Sequence, residues 1–190
     1  MSGSLEAAPA RSSAAILPRL GLRFALTYAL IATIAFSIYA FPFELFGAQG
    51  DWLASYLQAY ARLAGGVLQL FDSTVTVIGD RIDGRFALQI VRNCDAIEIN
   101  ILFASAVLAF PASLVRRGKV LLKGVALLVA ANVSRICCLY YIGVYFPSWF
   151  GTAHEEVLPL LLVMLTALLF LAAAHRLAEG EPNAVQASAP

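Results

Sequence analysis

Three residues of this chain have side chains suited to acyl transfer, namely Cys94, Arg135 and His154. A thiolate is a strong nucleophile, and an imidazole exchanges protons near neutral pH. A guanidinium can hold a carbonyl oxygen while negative charge develops on it. Each of the three lies at or near the end of a long apolar segment. We therefore predict that they form one catalytic group at a membrane surface, in a pocket that opens away from the cytosol.

The composition is that of a membrane protein. Of 190 residues, 61% are hydrophobic and only 13% are charged, which lies outside the range of soluble domains. The net charge of +1 comes without a basic stripe, so we expect no nucleic-acid partner. The cysteines at 94, 137 and 138 lack zinc-ligand spacing. No metal site and no cofactor are predicted.

Four apolar segments are long enough to cross the hydrocarbon core as helices. They are residues 22–41, 96–115, 120–141 and 157–174. Cations gather at one set of ends, where the positive-inside rule places the cytoplasm: Arg11, Arg19, Arg23, Arg116, Arg117, Lys119, Lys123, His175 and Arg176. Both termini are therefore predicted to be cytoplasmic. Cys94 and His154 then lie at the opposite, outer ends of their spans.

The chain between the first two spans is more polar, and we expect it to lie outside the bilayer. Residues 52–71 have helical periodicity and fit an amphipathic helix on the membrane surface, although a second crossing is an alternative. Residues 74–78 and 85–91 fit a β-hairpin that turns at Asp83-Gly84. The second strand of this hairpin ends three residues before Cys94.

The predicted fold class is a membrane all-α protein. It is a polytopic helical bundle of about four spans, with an outer amphipathic helix and a short extracytoplasmic β-hairpin. A single membrane-embedded domain covers residues 21–176 and includes the outer helix and hairpin at 43–93. Disordered cytoplasmic tails are expected at 1–20 and 177–190.

Each candidate residue also has a structural interpretation. Cys137 and Cys138 fit small apolar fillers, whereas Asn93 and Asp95 place Cys94 in a polar stretch that solvent can reach. An arginine at a span centre costs about 2.5 to 3.5 kcal/mol, so Arg135 needs a partner or a wet cavity. In a structural interpretation, Arg135 forms an ion pair with Glu98 or Asp95. In a catalytic interpretation, it binds the carbonyl oxygen of a substrate.

Two further groups have supporting roles in this scheme. Asn132 precedes Arg135 by three residues, on the same helical face, and can hold substrate or the arginine. Glu155 or Glu156 can orient the ring of His154, which on its own would fit a solvated loop residue. His175 lies at the cytoplasmic end of the fourth span and cannot join the group.

Three short motifs resemble those of the exosortase and archaeosortase family of membrane transpeptidases, with the small exosortase H type most similar. They are Asn93-Cys94-Asp95-Ala96-Ile97-Glu98, Asn132-Val133-Ser134-Arg135-Ile136 and Ala153-His154. The resemblance covers residues 74–174. It implies a nucleophile at the cysteine, an acid and base at the histidine, and an oxyanion-binding or substrate-orienting group at the arginine. Many members have Gly where this chain has Ala96.

The resemblance also implies a substrate and a location. Family substrates are exported proteins whose C-terminal tail carries a short motif, a membrane helix and a basic cluster. The enzyme cuts near the motif, forms a thioester through Cys94, and passes the acyl group to an amine or to water for surface delivery. Members often accompany exopolysaccharide production in Gram-negative bacteria. The expected location is the bacterial inner membrane, with the active site facing the periplasm and membrane lipid around it.

Two other functions remain open on the residues alone. A thiol, an imidazole and a buried guanidinium support acyl transfer without naming the donor, so lipid acyl transfer is one alternative. The other is a non-enzymatic membrane scaffold or binding module, in which Arg135 pairs with Glu98 to fix helix packing and the hairpin binds a partner. Replacement of Cys94 separates the enzymes from the scaffold.

Overall fold

The structure, a computed structural model, describes residues 16–40, 50–94 and 96–179. Asp95, most of both predicted tails and the start of the predicted outer region lie outside these residues. The helices are α1 (Ile16–Ala40), α2 (Gly50–Gln69), α3 (Ile97–Ala109), α4 (Leu114–Tyr145) and α5 (Leu158–Ala178). The strands are β1 (Thr76–Ile78), β2 (Arg81–Asp83) and β3 (Leu88–Gln89). A single 3-10 turn, Arg92–Cys94, joins β3 to the α3 segment.

Three helical stretches among the described residues are long and apolar enough to cross a membrane: Gly21–Ala40, Leu114–Tyr145 and Pro147–Ala178. The predicted second span, 96–115, is instead the 13-residue helix α3, which at about 1.5 Å per residue covers only about 20 Å. It ends because Phe110, the residue before Pro111, adopts an extended conformation, as steric clash with a proline ring favours. The structure therefore has three full-length candidates where four spans were predicted.

The later spans are longer than their predicted boundaries. Helix α4 has 32 residues, since the basic segment that follows Ser113 is already helical. Residues 147–178 form one continuous rod, in which a 3-10 turn, a short α turn and the π-helix Ala153–Val157 precede α5. Each rod is about 48 Å long, against about 30 Å of hydrocarbon, so its ends extend into the headgroup regions.

Helix α1 lies on the edge of the bundle and packs against α3. A stripe of exposed apolar side chains runs along it at four-residue intervals, which keeps them on one helical face: Leu22, Leu26, Leu30, Ile34 and Ile38. On another face, the ring of Phe24 contacts the rings of Phe110 and Phe170 at 6.4 Å between centroids. The exposed stripe is suited to contact with lipid.

The sheet has three antiparallel strands in the order β1-β2-β3. The predicted hairpin is a sheet with two turns. The chain turns first at Gly79-Asp80, where Gly79 has a positive φ of 62°, and again between Asp83, the last residue of β2, and Leu88, the first residue of β3. The pairing of residues 74–78 with residues 85–91 that the hairpin implied is wrong, because β2 lies between β1 and β3. Gly84, in the second connection, leaves room for Tyr140, because a Cβ there would lie 2.6 Å from the tyrosine hydroxyl.

Buried side chains form two core clusters along α4. The outer cluster joins α2, the sheet and the outer half of α4: Tyr60, Ala61, Ala64, Leu68, Val75, Ile82, Leu88, Ile90, Cys94, Ile136 and Tyr140. The inner cluster joins α3, α4 and α5: Phe103, Val107, Leu128, Ala173 and Leu177. Gly65 of α2 permits close approach to Val77 of β1. The two clusters meet at the middle of α4, between Leu128 and Ile136.

Tyr140 connects α4 to the segment between α2 and β3. Its hydroxyl is fully buried, donates to Asp72 at 3.2 Å and accepts the backbone N–H of Arg85 at 3.0 Å. Hydrogen bonds from Thr74, with a weaker one from Tyr140, hold the pKa of Asp72 below its ordinary value. The carboxylate form that this network requires is therefore present at neutral pH, and the network weakens as the pH falls through that lowered pKa.

Candidate active site

Cys94 lies at the end of the 3-10 turn, directly above α3. Its backbone N–H donates to the Val91 carbonyl at 2.7 Å, and the guanidinium of Arg92 lies over the ring of Tyr39 at 5.4 Å. These contacts turn the cysteine inward, into the outer core cluster, where only 3% of it is exposed. The expectation of a solvent-reached thiol is therefore wrong. Cys137 is half-buried beside the same cluster, and Cys138 is exposed.

Asn132 ties the cysteine segment to α4. Its side-chain amide donates to the backbone carbonyl of Cys94 at 2.8 Å, and the asparagine is fully buried. A donor buried away from water costs about 1 to 3 kcal/mol if it is left unsatisfied, so this bond strongly favours one position of the Cys94 backbone. Asn132 and Arg135 lie on the same face of α4, as predicted. The side chain of Asn132 hydrogen-bonds to the Cys94 backbone, however, and not to the guanidinium of Arg135.

Arg135 ties the histidine segment to the same face of α4. It is 8% exposed, and its Nη2 donates to the backbone carbonyl of His154 at 3.3 Å. The guanidinium also lies within electrostatic range of both the Cys94 thiol and the His154 imidazole. Its Nε has no hydrogen-bond partner among the described residues. One cation therefore contacts or influences both of the other groups.

His154 lies in the π-helix Ala153–Val157. Such wide turns are rare and occur frequently at functional sites. The imidazole stacks on Phe150 with ring centroids 5.8 Å apart, and its Nδ1 has no hydrogen-bond partner within the described ranges. Glu155 lies within electrostatic range but makes no hydrogen bond to the ring. The ring thus packs against an aromatic face, and its Nδ1 is buried.

The remaining candidates lie apart from this group. Glu98 is exposed in the first turn of α3, where its negative charge interacts favourably with the helix dipole and stabilises the helix. It forms no salt bridge with Arg135, so the ion pair that the scaffold interpretation needs is absent between these two described residues. Asp95 lies outside the described residues. In the part of the chain that the structure describes, no group of three His, Cys, Asp or Glu residues could hold a metal ion.

A comparison with models of protein families shows to which family this chain belongs. A family model described as transmembrane exosortase matches residues 5–173. The chain belongs to the transmembrane exosortase family. The resemblance predicted from the three motifs is thereby confirmed, as is the prediction of a membrane protein. No curated protein and no solved structure matches this exosortase significantly.

Ala96 is the backbone feature that sequence reasoning missed. It has φ 55° and ψ 18°, and it is the one described non-glycine residue with positive φ. Its carbonyl accepts from both the backbone and the side chain of Asn100, which fixes this left-handed turn before α3. Glycine adopts this conformation without strain. The glycine that many exosortases have at this position could have predicted the left-handed backbone two residues after the cysteine.

Replacement of Ala96 by glycine is expected to stabilise this exosortase by about 1 kcal/mol, because it removes the clash of Cβ in a left-handed residue. The thermal unfolding midpoint of the purified protein in detergent should therefore rise. Ala104→Gly is the matched control, since Ala104 lies within α3 and glycine in a helix costs about 1 kcal/mol. Equal destabilisation by both substitutions would contradict the assigned turn.

Proposed function

We propose that this exosortase is a cysteine transpeptidase that cleaves the C-terminal sorting tails of exported proteins. The observation that supports it best is the pair of hydrogen bonds from α4, in which Asn132 holds the Cys94 carbonyl and Arg135 holds the His154 carbonyl. The guanidinium of Arg135 lies within electrostatic range of both the Cys94 thiol and the His154 imidazole, which supports a common site for the three groups. That is the set of groups needed for acyl transfer through a covalent intermediate.

The proposed reaction begins with proton transfer from the Cys94 thiol to the imidazole of His154. The sulfur attacks a peptide carbonyl, and the carbonyl oxygen becomes negative. Collapse of this intermediate breaks the C–N bond, and the amine leaves with the proton from the imidazolium. A thioester remains on Cys94. An amine or water then attacks it with the same histidine as base, which releases the acyl group and restores the thiol.

Arg135 supplies the positive charge in this scheme. A preorganised donor in a site with little water stabilises a developing oxyanion more strongly than water does, because the local dielectric is low. Its unpartnered Nε and its burial fit that role. The burial of Cys94 also limits access of water to the thioester, which favours transfer to an amine over hydrolysis.

The membrane helix of the substrate is proposed to pack beside the π-helix. A cavity of about 410 Å³ lies there, lined only by apolar side chains: Ile142, Phe146, Trp149, Ala153, Val157 and Leu158. Phe146 and Trp149 are exposed, at the level where aromatic residues favour a membrane interface. Ala153 immediately precedes His154. A helix packed against this surface, with one or two of its apolar side chains in the cavity, would present the peptide above it to the proposed site.

The proposed orientation follows from charge. Arg116, Arg117 and Lys119 begin α4, and Arg176 lies near the end of α5. These cations favour the cytoplasm, so the end that carries Cys94 and His154 faces the periplasm of a bacterial inner membrane. Exported substrates reach that side, with their own basic clusters left at the cytoplasmic face.

Replacement of Cys94 tests the proposed function. In cells that express a tailed substrate, Cys94→Ser should abolish tail removal, since an alcohol is a much weaker nucleophile than a thiolate. Cys138→Ala, which removes an exposed thiol from α4, is the control and should leave processing intact. Immunoblotting follows both the substrate and the enzyme. Full processing by the serine variant at matched enzyme levels would favour the scaffold alternative.

Arg135→Lys tests the charge-stabilising role separately. The lysine ammonium keeps the positive charge but lacks the planar set of N–H donors of the guanidinium. Turnover should therefore fall by about a hundredfold. Arg62→Lys on the exposed face of α2 is the matched control and should leave turnover unchanged. Initial rates with purified enzyme in detergent give the comparison. Unchanged turnover in the Arg135 variant would remove the oxyanion role and leave only a structural one.

A further inference from the structure

The end of the bundle opposite Cys94 carries a strong excess of positive charge. Among its cationic residues are Arg23, Arg116, Arg117, Lys119, Lys123 and Arg176. The one described carboxylate at this end, Glu179, lies 3.3 Å from the ring of His175. Most of this charge is therefore not neutralised within the described residues, and an anionic ligand is favoured there.

Two of these cations line a groove between α4 and α5. The groove has a volume of about 250 Å³, and its other lining residues are apolar. Lys123 lies on the α4 side and Arg176 on the α5 side. The ring of Phe103 from α3 forms its floor and packs directly against Gly124. The groove thus combines a cationic rim with an apolar interior.

The spacing of residues along α4 favours a rim at the depth of lipid phosphates. Tyr145, an exposed aromatic at the outer end of α4, and Lys123 are separated by about 33 Å along the helix, close to the roughly 30 Å thickness of the hydrocarbon core. With Tyr145 at the outer membrane–water interface, Lys123 lies at the inner membrane–water interface. Leu122 and Leu127 are 74% and 54% exposed, so the surrounding surface is apolar and faces the acyl chains.

We propose that this groove binds one anionic phospholipid of the cytoplasmic leaflet. Its phosphate lies between Lys123 and Arg176, and an acyl chain follows Leu127 and Leu169 over the ring of Phe103. Charge complementarity selects an anionic headgroup over a zwitterionic one, since each cation near the surface strengthens binding of an anionic lipid. The apolar walls select a lipid over a free phosphate. The site is separate from Cys94, and the proposal does not depend on the proposed reaction.

Native mass spectrometry tests this site. The full-length protein is reconstituted in bilayers of phosphatidylcholine mixed with phosphatidylglycerol, released, and its retained lipids are identified. The wild-type protein should retain phosphatidylglycerol preferentially. The double variant Lys123→Gln with Arg176→Gln should lose that preference by about tenfold or more. Both residues are exposed, so the variant is expected to fold, and its unfolding midpoint without lipid checks this.

Lys119→Gln is the matched control. It removes one cation from the same helix and the same end of the bundle, but Lys119 does not line the groove. It should retain phosphatidylglycerol nearly as the wild type does. Equal retention of the two lipids by the wild type would overturn the proposal, as would unchanged preference in the double variant. An equal loss in the Lys119 variant would also overturn it, because the attraction would then belong to the general charge of this end.

Discussion

Two polar side chains inside an apolar bundle determine the arrangement of the candidate site. Asn132 and Arg135 lie about one turn apart on α4, and each donates to a backbone carbonyl of a different segment. Because water is scarce there, each donor must find a protein partner or carry an unpaired group at a cost of about 1 to 3 kcal/mol or more. Helix α4 therefore fixes the turn that ends at Cys94 and the π-helix that contains His154 relative to each other.

The rest of the structure supports α4 at this point. The inner core cluster holds α4 against α3 and α5, and the outer cluster holds it against α2 and the sheet. Tyr140 adds a buried hydrogen-bonded contact with Asp72 and Arg85. The residue at Gly84 must be small, since the tyrosine hydroxyl occupies the space of a side chain. Helix α2 and the sheet thus restrain the C-terminal half of the helix that carries the two donors.

Local sequence patterns predicted a membrane protein and the presence of its long helices, because hydropathy over about 20 residues determines which segments can span a bilayer. They also placed Asn132 and Arg135 on one face, since residues three apart in a helix are neighbours. The family followed from three short motifs and is confirmed. The roles of Cys94, Arg135 and His154 remain proposals.

The errors arose where contacts between distant segments decide the structure. Hydropathy favoured a full span at 96–115, but the bend at Phe110-Pro111 ends α3 early. The predicted hairpin lacked the short central strand β2, and no local pattern reveals that Gly84 contacts Tyr140, 56 residues away. Polar neighbours suggested an exposed Cys94, whereas packing against α2 and α4 buries it. The left-handed backbone of Ala96 likewise contradicts the preference of an alanine.

The most direct test of this account is to identify the residue that carries the acyl group. The purified exosortase would be incubated with a membrane-anchored substrate that bears a sorting tail, quenched in acid to preserve a thioester, digested and examined by mass spectrometry. The account predicts an acyl adduct on Cys94 whose mass corresponds to cleavage near the recognition motif. An adduct on another residue, or product formation by the Cys94→Ser variant, would contradict it.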